Sequence, residues 1–480
     1  MDDRDAGTGI DPGRLAAAID VLAQAAALPL EHPDSIAAQR ATAKLFKAVK
    51  ERRRAERIAA SRTADAAVDA ATATAAPGRI DDETRGIPLV SPTSGASAGT
   101  LSRARACYVC KQSYTRVDAF YHQLCPSCAG LHHERREART HLRGRRALLT
   151  GGRAKIGMYV ALRLLRDGAH TTITTRFPAD AARRFSSMPD SGRWLDRLRI
   201  VGIDLRDPAQ VVALADSVAE RGPLDILINN AAQTVHRSPG AYSELVAAEA
   251  QALPPGPVPE VTALGAGVTA HPPLLAGALA AAALEPVELA ELALTARSAD
   301  PARLRTGRAI DAAGLIPDRE AVNSWTRLVH EGDPVELLEV QLCNQTAPFI
   351  LLSRLRAAMA AATARRRYVV NVSAMEGVFS RGYKGPGHPH TNMAKAALNM
   401  LTRTSAQELL EDGILMTSVD TGWITDERPH ATKLRLAEEG FHAPLALVDG
   451  AARVYDPIVR GEAGEDLYAC FLKDYRPGAW

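Results

Sequence analysis

Four cysteines offer the sharpest chemistry in this 480-residue chain. Cys107 and Cys110 make one C-x2-C pair, and Cys125 and Cys128 make a second after fourteen intervening residues. Each pair lets two thiolates converge from a tight turn, and two pairs complete the tetrahedron that suits Zn²⁺. Four thiolates leave no open position for water, so the expected role of the metal is structural. A segment of about thirty residues builds little core, and metal binding would supply its folding free energy. His122, His132 and His133 lie near, but the paired spacing favours an all-cysteine site. Six cysteines in so long a chain do not suggest a disulfide scaffold, and the tight pairs suit a reducing cytoplasm.

A second chemical stretch, "LLTGGRAKIG", ends an apolar run and enters a helical one. It reads as T-G-x-x-x-G-x-G, with Lys155 where a middle glycine would stand. Glycines here let backbone approach a pyrophosphate, whose charge helix N-terminal N–H groups stabilise. Gly151, Arg153, Ile156 and Gly157 are the candidate contacts. Four further segments follow in order: "GIDLRD" with Asp204 and Leu205, "NNAA" with Asn230 and Ala231, "NVSAMEG" with Ser373, and "TGWIT" with Gly422 and Ile424.

On these segments the chain from residue 145 to the end resembles the short-chain dehydrogenase/reductase family. The resemblance implies an α/β fold, a Rossmann-type doubly wound parallel sheet. It also implies hydride transfer between NAD(P) and a carbonyl or alcohol small molecule. By the same resemblance Asp204 and Leu205 lie on the adenine side, and Asn230 and Ala231 beside the cofactor. Ser373 orients the carbonyl, Asn344 holds the family's fourth catalytic position, and Lys395 holds the ribose. Ile424 falls where backbone meets the nicotinamide amide. The second strand ends "TTRFP", with no acid to bond a ribose 2′-hydroxyl. Arg176, assisted by Arg153, would instead attract a 2′-phosphate, so NADP is expected in preference to NAD.

The chain departs from the family at its proton donor. Thr391, four residues before Lys395, stands where the family has a tyrosine, and a threonine hydroxyl is too weak an acid to replace it. The loop from Ser373 is longer than the family's and carries three candidates: Tyr383 first, then His390, with His388 beside it. Two classes of function follow. One is an NADP(H)-dependent oxidoreductase with another proton donor. The other is a cofactor-sensing interaction module without that chemistry.

The elements that must position these residues divide the chain. Residues 1–60 read as helices with a break at Pro33, 61–103 as a flexible linker, and 104–135 as the zinc module. From residue 145 apolar strands alternate with amphipathic helices: "RRALLTGG", "HTTITTR", "LRIVGIDL", "LDILINNAA", "RYVVNVSAM" and "ILMTSVDTGW" are six expected strands. An insertion at about 236–335 interrupts them. Its low-complexity part, 249–300, is expected to form no compact domain, and Asn323 and Trp325 at its end are expected against the cleft.

A formal charge of +3 argues against a protein that coats nucleic acid. The run "RREARTHLRGRR" concentrates basic residues locally, as a solvated helix face or a site for an anionic partner. No apolar run is long enough to span a bilayer, and no secretory signal opens the chain. The cytoplasm is the expected compartment. The N-terminal helices or the zinc module offer room for a protein partner, and a homo-oligomer is compatible with the reading.

Overall fold

The computed structural model describes residues 9–77, 79, 95–237, 239–253, 255–265, 313–315, 321–425 and 427–480. The chain divides into two compact units, Met1–Ala67 and Val68–Trp480.

Two helices fill the first segment, α1 (Pro12–Ala27) and α2 (Pro33–Ala70). Proline opens each, its missing N–H being an orphan there in any case. Asp11 caps α1 by accepting from the Arg14 N–H at 2.9 Å. Helix α2 runs through residues 61–70, which corrects the linker boundary. Alanine and arginine hold a helix there without an apolar stripe to announce it. The linker is wrong at its other end as well, because Ser97–Ala106 forms strand β1. Residues 78 and 80–94 lie outside the described residues.

β1 pairs antiparallel with β2 (Ser113–Asp118), and α3 (Pro126–Glu137) follows. The alternating part then proceeds as β3 (Arg146–Leu149), α4 (Lys155–Arg166), β4 (His170–Thr175), α5 (Pro178–Ser186), β5 (Leu198–Gly202) and α6 (Pro208–Ala219). It continues as β6 (Ile226–Asn229), α7 (Ser243–Glu249), β7 (Glu260–Ala263) and α8 (Pro334–Gln341). After one π-helical turn, Leu342–Thr346, come α9 (Ala347–Ala360), β8 (Arg367–Ser373), α10 (Pro389–Glu411) and β9 (Ile414–Asp420). The chain closes with α11 (His430–Glu438), α12 (Leu447–Glu462), β10 (Cys470–Lys473) and β11 (Arg476–Gly478).

The sheet order is β7-β5-β4-β3-β6-β8-β9-β10-β11. Its strands run parallel except β11, which pairs antiparallel with β10. This is the expected doubly wound sheet. Strands such as "ILIN" and "ILMTSVD" are buried along their whole length because helices cover both faces. Leu162, Leu165, Val454 and Ile458 pack on one face, and Leu214, Leu351, Leu355 and Leu409 on the other. Strand order reverses between β3 and β6, which opens a crevice at the carboxyl ends of the strands.

Three expectations change. Part of the insertion is built into the sheet: β7 adds an edge strand beside β5, whereas 266–300 lie outside the described residues. Part of the arginine run is tied into the fold. Arg135 pairs with Asp456 at 3.2 Å, Arg139 with Asp167, and Arg145 with Glu462 at 2.7 Å. These three guanidinium groups tether α3 and the α3–β3 connection to the rest of the fold, while Arg143 is exposed. The cysteine segment, finally, is not a domain apart. Tyr121 and Leu124 share one apolar cluster with Ile424, Leu445 and Ala446. Buried polar groups lock the join: Tyr121 Oη donates to Asp449 Oδ1 at 2.5 Å, and Arg136 Nη1 to Tyr121 Oη at 3.2 Å. Among the described residues no helix is long and apolar enough to cross a membrane.

Candidate active site

The four predicted thiols converge. Cys107, Cys110, Cys125 and Cys128 carry sulfurs that all lie within 4.8 Å of one another. The Cys110–Cys125 separation is 3.6 Å, close to the roughly 3.8 Å edge of a tetrahedron with Zn–S bonds of about 2.3 Å. The Cys125 N–H points at Cys107 Sγ at 3.3 Å, a donor that would stabilise a thiolate. The Gln112 backbone N–H, with neighbouring thiols, draws Cys110 down to about 7, while burial pushes Cys125 and Cys128 up. A bound cation would reverse that burial effect. The donor set therefore fits zinc.

At the crevice, a cleft of about 350 Å³ opens over the β3–α4 turn. Gly151, Arg153, Arg176, Asp204, Leu205, Asn230 and Ala231 line it, all expected cofactor contacts. Gly157 is required by close approach: a Cβ there would fall 2.0 Å from the Gly151 carbonyl oxygen and 2.7 Å from Asn230 Nδ2. Asn230 Nδ2 donates to the carbonyls of Thr150 and Gly151 at 3.0 and 3.1 Å, which ties the turn to β6. Arg153 is engaged with Asp180 at 2.5 Å. Arg206, absent from the sequence reading, pairs with Asp204 and Glu339, both at 2.6 Å. Arg176 lies over the Tyr242 ring, 4.8 Å from its centroid; Asp204 acts on its charge from a distance, and no carboxylate among the described residues lies within 4 Å of it.

A second cleft, of about 550 Å³, meets the first at Glu427 and continues along the ends of β8 and β9. Ser373 and Lys395 are buried, 2% and 8% exposed, and line neither cleft; Ala374, next to Ser373, lines the second. Ser373 Oγ donates to the Lys395 carbonyl at 3.4 Å, and Lys395 Nζ to the Val372 carbonyl at 2.8 Å. Asn344, inside the π-helical turn, clasps Gln233 by accepting its N–H at 2.7 Å and donating to its carbonyl at 3.0 Å. Gly422, at φ +76°, passes so close to buried Arg453 that any side chain would collide with it. Ile424 is buried under the cysteine segment. Trp325 reaches this cleft and stacks on His388 at 3.8 Å, while Asn323 donates to the Glu427 carbonyl at 2.8 Å.

The expected proton donors fare differently. Tyr383 is 77% exposed and lines neither cleft. Its loop is held outward by Lys384 bonding the Glu376 carbonyl, by the Arg381–Glu376 pair at 3.6 Å, and by Ser380 N–H on the Trp480 carbonyl at 3.2 Å. In this structure the first choice of donor therefore faces neither cleft. His390 points elsewhere, 3.9 Å from Glu336 across α8, and burial lowers its pKa. The buried Thr391 hydroxyl has no hydrogen-bond partner among the described residues.

Sequence reasoning missed Asp420. It ends β9 in direct register with Ser373, lines the second cleft, and is 4% exposed. Burial raises its pKa, and the nearby Asp474 and Glu376 act in the same direction against Arg453. Its signal was an acidic residue at the inner end of an otherwise apolar strand. Tyr108 was also missed as a cleft residue: its Oη accepts the Trp423 N–H at 3.0 Å.

The short chain dehydrogenase family profile matches residues 145–252. The uncharacterized protein R665 of Acanthamoeba polyphaga mimivirus is 30% identical over 372 residues, 74% of this chain and 71% of that protein. Residues 145–252 thus carry a short-chain dehydrogenase segment. A probable oxidoreductase of Streptomyces antibioticus is 40% identical over 90 residues, 19% of this chain and 29% of that one. Among solved structures, a short chain dehydrogenase from Burkholderia cenocepacia in complex with NADP is similar at 20% identity and TM-score 0.43, over 69% of this chain and 97% of that one. An NADPH-bound carbonyl reductase from chicken fatty liver is similar at 18% identity and TM-score 0.42, over 71% and 100%.

Lys395 gives a first prediction. Burial lowers its pKa from 10.5 to about 8. The unfolded chain then holds the extra proton between those values, so stability of the nucleotide-free protein should rise with pH from about 8 to 10.5. Below that window the whole cost of the buried charge remains, on the order of 3 kcal/mol. Lys395→Met should therefore be more stable than the parent at pH 7 and should lose that slope. Denaturant titrations at pH 7 and 10 would read both effects.

Proposed function

We propose that this protein is an NADP(H)-dependent oxidoreductase that interconverts a carbonyl and an alcohol on a small molecule. The observation that carries the reading is the pair of joined clefts, one over the glycine turn and one over the ends of β8 and β9. NADPH, when bound in the first cleft, would supply a hydride to the carbonyl carbon. Ser373 would orient the carbonyl oxygen, and the Lys395 ammonium would turn from the Val372 carbonyl to the ribose. The Asp420 carboxyl, its pKa raised by burial, would in its protonated form give its proton to the oxygen and recover one from solvent through the cleft. Alcohol oxidation would run the same steps backward, with the Asp420 carboxylate accepting. In this reading Asp420 does what Thr391 cannot.

Preference for NADP over NAD rests on Arg176, which lines the cleft where β4 ends without an acid and has no carboxylate within 4 Å among the described residues. Arg176→Ala should weaken NADPH binding about ten- to a hundredfold, the scale of a charge-assisted hydrogen bond, and change NADH little. Calorimetry with both nucleotides tests this, and equal losses would remove Arg176 from the phosphate site. The second proposed ligand is one structural zinc per chain on Cys107, Cys110, Cys125 and Cys128, which fits a reducing cytoplasm.

The present hydrogen bonds of Lys395 and Ser373, both to backbone, also suit a second reading. A cofactor-sensing module would bind NADP without turnover and signal through the zinc segment or the N-terminal helices.

A further inference from the structure

The cysteine knuckle does more than pack against the sheet. Its first turn, from Cys107 to Gln112, projects two side chains to the rim of the second cleft. Tyr108 bonds the Trp423 N–H through its hydroxyl, and Lys111 holds its ammonium 5.3 Å from the Tyr108 ring centroid. Lys111 adopts φ +62°, a left-handed conformation in which glycine would be the easy choice. Lys384 and Lys473 line the same cleft; Lys111 bonds the Tyr108 carbonyl and Lys384 the Glu376 carbonyl, and among the described residues no carboxylate lies within 4 Å of any of the three ammoniums. The carboxylates present do not balance them: Glu376 faces Arg381 at 3.6 Å, Glu427 faces Arg237 at 4.0 Å, and Asp420 is buried. The cleft therefore favours negative charge at its mouth, where Tyr108 and Lys111 stand, while Ile156 of the glycine turn also lines it.

We propose that the knuckle is a wall of the substrate site and that Lys111 receives an anionic group, carboxylate or phosphate, on the carbonyl substrate. This rests on the oxidoreductase reading and adds the substrate's charge to it. Lys111 is a specificity residue, since it meets the substrate away from the reacting carbon. The fixed turn carries its backbone: Lys111 N–H donates to the Cys107 carbonyl at 3.1 Å and Cys107 N–H to the Gln112 carbonyl at 2.9 Å. The metal would set the position of that turn, and with it the position of the charge.

The test uses the full chain as purified, with its metal, and two kinds of probe. Benzoate and phenyl phosphate, titrated into NADP⁺-saturated protein, report anion binding without turnover. 4-Carboxybenzaldehyde and benzaldehyde report turnover with NADPH. Expected are binding of at least one anion and a lower KM for the carboxylated aldehyde. Lys111→Ala should weaken anion binding and raise that KM about tenfold, leaving kcat and the benzaldehyde KM unchanged, and Lys111→Arg should restore most of both. Whichever anion binds more tightly tells carboxylate from phosphate. Turnover of both aldehydes with equal KM, or anion binding that Lys111→Ala leaves intact, would overturn the proposal while sparing the oxidoreductase reading. Anion binding that depends on Lys111 in a protein that reduces neither aldehyde would support the anion site and count against the oxidoreductase reading instead.

Discussion

Asp420→Asn should lower turnover on the order of a hundredfold or more, the scale of a lost general acid. The amide preserves shape and most hydrogen bonding but has no proton to give. NADPH affinity should change little, because Asp420 lines the second cleft and not the first. The pH profile carries the sign. The acid must be protonated for reduction, so the rate should fall as pH rises through the raised pKa of Asp420, and alcohol oxidation should rise over the same range. Asp420→Asn should flatten both limbs. Tyr383→Phe should remain fully active, since that ring is exposed to solvent.

Cys125→Ser should strip the metal and loosen the knuckle. Structural zinc contributes on the order of 10 kcal/mol in small fingers, and losing one of four ligands should cost roughly 3 kcal/mol or more here. A drop in melting temperature of about 3 °C is the expected reading for a protein of this size. Elemental analysis should find one zinc per parent chain and a large deficit in the variant. Because Ile424 and Leu445 pack against the knuckle, the loss should also raise proteolysis in the segment from Gly422 to Leu445. A parent protein that is metal-free with its cysteines reduced would remove the zinc assignment.

Much of this was legible in the residues, and the rest was hidden for physical reasons. Six strands announced themselves because a parallel sheet covered on both faces demands continuous apolar runs. β7 did not, since an edge strand of four residues, mostly exposed, carries no such run. The extension of α2 was missed because its residues favour helix without forming a stripe. The four thiols and the glycine turn were readable because local spacing determines their geometry. The positions of Tyr383 and Asp420 were not. Chain length allowed Tyr383 to reach Ser373, but contacts to Glu376 and Trp480 turn its loop outward. Asp420 reaches Ser373 only through strand register, and Tyr108 reaches Trp423 only through the docking of the knuckle. Both are long-range facts that no local pattern encodes.

The most direct measurement follows one deuterium. The parent protein would be incubated with NADPH deuterated at the transferred C4 position and a panel containing 4-nitrobenzaldehyde, 4-carboxybenzaldehyde and benzaldehyde. Mass spectrometry of the products should find deuterium on the carbinol carbon of at least one of them, with far less product from Asp420→Asn. NADPH that binds one site per chain by calorimetry, yet is returned unconsumed with every carbonyl, would contradict the account and leave a protein that only senses its cofactor.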